Sequence, residues 1–179
     1  MTDFFVYGGF CFFRKREIMK NRKTRNLVRS AMIAALYVAL TMVSALLGLS
    51  SGAIQVRISE ALCVLPVFTA SAIPGVTIGC FIANLLTGGT VWDLTLGVLA
   101  TLIGAAVAYL LRKCPYAASI PTILSNTIII PGVLILSGFY PPEAYPITCL
   151  TVGIGEVISC GLFGTVLIWY LRKMGNKTK

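Results

Sequence analysis

Between Arg29 and Arg112 this chain carries a single basic residue, Arg57, and is otherwise built of long apolar runs. That pattern constrains the fold more than anything else in the sequence. A run of about 20 apolar residues, rising 1.5 Å each, matches the roughly 30 Å hydrocarbon core of a bilayer. Backbone polar groups can be satisfied there only inside helices or a closed barrel. With 57% hydrophobic and 12% charged residues among 179, the chain reads as a polytopic membrane protein of one domain and not as a soluble fold. The net charge of +9 does not mark a nucleic-acid binder, because the bases are clustered. Eight lie at or before Arg29, two are Arg112 and Lys113, and four lie at or after Arg172. This is the positive-inside distribution of a membrane protein.

Six helices are predicted, over Leu27–Leu49, Arg57–Thr69, Pro74–Thr87, Asp93–Leu111, Ile120–Ser137 and Tyr145–Lys173. The expected architecture is an all-α bundle of six transmembrane helices with both termini cytoplasmic. Residues 1–26 form a basic N-terminal extension, poorly ordered, with Met19 as a plausible true start. Residues 27–173 form the transmembrane domain, and residues 174–179 a basic tail. The second helix is short for a full span, and Pro66 kinks or stops it. Pro131 is expected to kink or break the fifth. The sixth is longer than a bilayer is thick and must tilt or project.

Small residues recur at helical spacing. Ala31, Ala35 and Ala39 form a smooth stripe on the first helix, which is either a surface for another helix or the ordinary abundance of alanine. Gly75, Gly79 and Ala83, and later Gly97, Thr101 and Ala105 beside Ala100, Gly104 and Ala108, argue for dense packing within the bundle.

Against this background the polar residues stand out. The segment Gly52-Ala-Ile-Gln-Val-Arg-Ile-Ser-Glu-Ala-Leu-Cys-Val-Leu-Pro66 puts Gln55, Arg57, Ser59 and Glu60 among apolar neighbours, alternating polar and apolar up to Glu60 as an extended stretch does. A helix is expected to begin near Arg57, behind an entry loop. An ionisable residue in a membrane costs at least about 2.5 kcal/mol near the centre, so each is a candidate functional group with a partner close by. Glu156 is the strongest such signal, roughly 16 Å from the exterior end of its helix by helical rise. Asn84 comes near the end of the third helix. Asp93 either caps the fourth helix or faces a ligand. Trp92 is either an interfacial anchor or a stacking surface. Arg57 and Glu60, three apart, would pair with each other if their role were only structural. The exterior half therefore gathers Arg57, Glu60, Asn84 and Asp93, with Glu156 below them, and suits a small polar ligand rich in N–H donors.

Other chemistry is missing. Cys11, Cys63, Cys80, Cys114, Cys149 and Cys160 show no paired spacing and there is no histidine, which speaks against a zinc or haem site. No phosphate-binding loop, dinucleotide fingerprint or nucleophile motif occurs. No metal, cofactor or catalytic residue is expected, and the chain reads as a non-enzyme.

The block Gly52–Pro66, with Ala72-Ile-Pro-Gly75, Ile82-Ala-Asn-Leu85 and Gly153-Ile-Gly-Glu156, resembles the signature segments of the QueT family of queuosine-precursor transporters, over roughly Met19 to Lys173. The resemblance implies the substrate-binding (S) component of an energy-coupling factor (ECF) transporter in the bacterial cell membrane. Such a component captures its substrate outside and delivers it inward with a transmembrane coupling subunit and two ATPase subunits. It also implies that Ala31, Ala35 and Ala39 dock on the coupling subunit. The ligand would be a queuosine precursor, a 7-deazaguanine in its aminomethyl or cyano form, or queuine. By residue type and depth, and not by the resemblance, Glu60 and Glu156 would accept its N–H groups, Gln55 or Asn84 would answer the ring carbonyl side, and Trp92 or Tyr140 would stack on the heterocycle. The alternatives are an ion-coupled secondary transporter acting alone, in which Glu156 relays a proton or cation, and an S component for another vitamin.

Overall fold

The computed structural model describes residues 22–49 and 55–177. The N-terminal extension up to Asn21, the entry loop at residues 50–54 and the last two residues of the tail lie outside the described residues. The described chain is helical, without a strand. The first helix is Arg22–Leu46, so it starts five residues before Leu27. The second is a tight 3₁₀ helix, Ile58–Val67, and the third is Ala72–Leu86. The fourth, Asp93–Leu110, opens with a wide π-helical turn at Asp93–Gly97. The fifth is Ser119–Leu136. The sixth covers residues 145–177, with a π-helical stretch at Val157–Phe163 between regular halves.

Six helices therefore form, but four of them are long and apolar enough to cross a membrane. The two that fall short of that length are the second and third, of 10 and 15 residues. At about 2.0 Å per residue a ten-residue 3₁₀ helix reaches about 20 Å, short of the hydrocarbon core. The second helix works instead as a central post. Cys63 and Val64 are fully buried, and the core around them draws Tyr37, Val76, Ala105 and Ile168 from the first, third, fourth and sixth helices. A helix with nearly all of its residues buried belongs inside the bundle, not at a lipid surface. The outer faces carry exposed Met32, Leu36, Leu124, Ile128 and Leu162, the side chains that a bilayer would solvate.

Close approach sets the packing. A Cβ at Gly79 would come within 2.7 Å of Tyr37 Cβ, and one at Gly104 within 2.8 Å of Thr122 Cα. Only glycine lets the third helix lie on the first and the fourth on the fifth at these distances. Pro131 does not break the fifth helix, which continues to Leu136; helices in a membrane accommodate proline where neighbours enclose them.

Three helices end alike. Gly48, Gly88 and Gly138 have φ of 68, 74 and 79°, and the amides of Leu49, Gly89 and Phe139 reach back to the carbonyls of Ser44, Asn84 and Leu134 at 3.0, 2.7 and 3.0 Å. This is the left-handed glycine cap that satisfies the last helical carbonyls. The caps of the third and fifth helices lie at one end of the bundle, where the Thr90 and Ser137 hydroxyls meet at 2.7 Å. At the other end, Arg172 stacks over Tyr116, 5.7 Å from the ring centre.

A polar cavity between the second and sixth helices

A small cavity opens in the half of the bundle that carries the glycine caps. Gln55, Arg57, Glu60, Asn84, Asp93 and Glu156 all line it. Irregular helix surrounds it: Glu60 lies in the 3₁₀ turn, and Asp93 opens one π turn while Glu156 immediately precedes the other. Wide π turns recur at functional sites because they re-aim side chains and free backbone groups.

Each polar group has a definite position. Glu60 is 3% exposed, and both of its oxygens accept hydrogen bonds, from Tyr37 Oη at 2.5 Å and Cys63 Sγ at 3.2 Å. Arg57 does not pair with Glu60, and among the described residues it forms no ion pair. Its Nη1 donates to Asn84 Oδ1 at 3.2 Å, and Asn84 Nδ2 in turn donates to the Asp93 carbonyl at 3.1 Å. Asp93 caps its helix from inside the first turn: Oδ2 accepts from the Thr90 amide and hydroxyl at 2.8 and 2.7 Å, while the Asp93 amide reaches Thr90 Oγ1 at 3.3 Å. That reciprocal pair is a capping box with Thr90 as the cap.

Glu156 differs from the rest. Oε1 accepts from Asn126 Nδ2 at 2.9 Å, but Oε2 and the Asn126 carbonyl oxygen Oδ1 are both buried with no partner among the described residues. Glu156 is 9% and Asn126 3% exposed. Burying a polar atom without a hydrogen bond costs on the order of 1–3 kcal/mol, and more when it is charged. Two acceptors, on neighbouring residues that both line the cavity, are thus left to be satisfied.

The remaining residues singled out by sequence lie elsewhere. Trp92 and Tyr140 are exposed and do not line the cavity; both sit at the capped end, as interfacial aromatic residues do. Ala31, Ala35 and Ala39 are all exposed, while Ala34 and Tyr37 turn inward. Asn126 also lines the cavity, as do Thr101, whose spacing suggests only packing, and Cys80. For Asn126 a signal was present, an amide in the middle of an apolar span. Among the described residues no three acidic, cysteine or histidine side chains gather as a metal would require.

Helices apolar outside, with charged and amide side chains turned into one shared cavity, define a multi-pass membrane protein built around a polar internal site. Residues 27–173 match the QueT transporter family, and the chain belongs to that family of membrane transporters. It is 44% identical over 93 residues to the queuosine precursor transporter QueT of Lactococcus lactis subsp. cremoris (strain MG1363), an alignment covering 52% of this chain and 54% of that protein. The chain thus spans about half the length of the curated relative that it matches. No solved structure matches it.

Proposed function

We propose that the chain is the substrate-capturing component of an ECF importer for queuosine precursors. Family membership and the name of the Lactococcus relative support the substrate class. The observation that carries the reading is the pair of orphaned acceptors, Glu156 Oε2 and Asn126 Oδ1. A 7-deazaguanine presents a ring N–H beside an exocyclic amine, two donors in one plane, and a carboxylate with a neighbouring amide carbonyl accepts both. Charge-assisted hydrogen bonds of this kind are about twice as strong as neutral ones. Arg57, with one guanidinium N–H engaged by Asn84, has others left for the ring carbonyl. Three carboxyl groups line the cavity beside one guanidinium, and one of them would accept a cationic aminomethyl group on the ligand.

The cavity faces outward. Arg112, Lys113, Arg172 and Lys173 stand at the opposite end of the bundle, and basic ends stay in the cytoplasm. The exposed alanines 31, 35 and 39 form the face that docks on the coupling subunit, whose two ATPase partners drive release. No bond is made or broken in the chain itself.

Calorimetry of the purified protein with 7-aminomethyl-7-deazaguanine tests the ligand; absence of binding, with guanine, riboflavin and thiamine as controls, would sink it. Uptake in cells lacking ECF ATPase subunits tests the partners. Uptake there that follows a proton gradient would instead make the protein a self-sufficient carrier. Replacing Ala35 by Trp is expected to spare binding and abolish uptake.

A further inference from the structure

Gln55 and Arg57 line the cavity on a non-helical stretch, extended at Arg57, which the Val56 amide ties to the Leu49 carbonyl at 2.9 Å. The structure supplies anchors from two helices. The Arg57 amide donates to Ser159 Oγ of the sixth helix at 3.0 Å, and the Ile58 amide donates to Ser44 Oγ of the first helix at 3.0 Å. The Gln55 carbonyl rests on Gly155 so closely that any Cβ there would overlap it. Gly155 and Ser159 are four apart, with the change from regular to π-helical winding falling between them, and Glu156 sits beside Gly155. Both residues are buried. A hydroxyl in this position would ordinarily bond within its own helix; here it reaches across 102 residues of sequence.

We propose that Ser159 and Gly155 are positioning residues that clamp the stretch 55–57 on the sixth helix and so hold Arg57 and Gln55 in register with Glu156. The clamp fixes Arg57 at its backbone, while Asn84 fixes its guanidinium. Arg57 thereby becomes a strut whose free N–H groups are aimed before a ligand arrives. Preorganisation of this kind improves affinity by removing the ordering cost from the binding step. The proposal rests on the ligand reading above only for its affinity arm.

Two measurements on the full-length protein test it. In hydrogen exchange of the unliganded protein, Ser159→Ala is expected to speed exchange of the Arg57 amide about tenfold, with Ser159→Thr, which keeps a hydroxyl, close to wild type. Unchanged exchange in Ser159→Ala overturns the clamp whatever the ligand is. In calorimetry with 7-aminomethyl-7-deazaguanine, Ser159→Ala is expected to weaken binding roughly 5-fold, the loss of about one hydrogen bond, and Ser159→Thr to recover it. Because Ser159 acts through Arg57, Ser159→Ala should add nothing to Arg57→Gln; a full additive loss in the double variant overturns the positioning role. Gly155→Ala is expected to exceed both, and if it fails to fold the serine variants still decide. A wild-type protein that binds no deazaguanine would defeat the ligand reading while leaving the exchange result to judge the clamp.

Discussion

Two buried glutamates line one cavity and meet different fates. Glu60, in the central 3₁₀ helix, has a donor on each oxygen, from Tyr37 and Cys63. Glu156, at the edge of a π turn, has a donor on one oxygen and none on the other. Burial is similar, 3% against 9% exposed, so burial does not separate them. Partners do. A carboxylate that is fully hydrogen-bonded holds helices together, and removing it strands its donors; one that is half-bonded is held at a cost that a ligand can offset.

The largest effect expected is on Glu156. Glu156→Gln should weaken deazaguanine binding by about 100-fold or more, because a buried charged acceptor is worth on the order of 2–5 kcal/mol to its donors, while the thermal midpoint without ligand stays near wild type. Calorimetry and thermal unfolding of one preparation check both halves. Equal binding would erase the contrast at once.

Next comes Glu60. Glu60→Leu strands the Tyr37 hydroxyl and the Cys63 thiol, for about 2–3 kcal/mol and a fall of roughly 5–10 °C in Tm. Glu60→Gln keeps an acceptor for Tyr37 and should bind ligand within about tenfold of wild type, since amide and acid share a shape. A loss in Glu60→Gln as large as that in Glu156→Gln would mean that both carboxylates hold the ligand.

Asn126→Ala removes one orphaned acceptor and the partner of Glu156 Oε1, with an expected loss of about tenfold in affinity. Smallest is Trp92→Ala, expected to change affinity by less than about twofold, because the ring is exposed beyond the cavity lining. A tenfold effect there would show that the ligand reaches further toward the mouth than Arg57.

Several of these features were legible before any coordinates. The segment from Gln55 to Glu60 and the glutamate at 156 draw attention because charge is expensive among apolar residues, wherever the chain folds. The capping box at Thr90 and Asp93 was also legible, as a threonine three residues before an acid. Sequence alone points to Asp93 as the cap, because an acid opens the apolar run; the hydrogen bonds make Thr90 the cap and Asp93 its partner. The pairing of Arg57 with Glu60 failed for a related reason: three-residue spacing puts side chains on one face in an α-helix, but Arg57 lies just outside a 3₁₀ helix, in extended backbone. Nothing in the local sequence announces 3₁₀ or π winding, which neighbouring helices impose.

Hydropathy and the placement of lysine and arginine by themselves determined that this is a helical membrane protein with its basic residues clustered outside the spans, because transfer from water to lipid is costed residue by residue. Glycines 48, 88 and 138 mark helix ends for an equally local reason, the left-handed turn that few other residues adopt. Tertiary structure alone decided which carboxylate oxygen lacks a donor, since Tyr37 lies 23 residues from Glu60 and Asn126 lies 30 from Glu156. A hydrogen bond requires its two atoms within about 3 Å of each other, and only the packing of distant helices sets that distance.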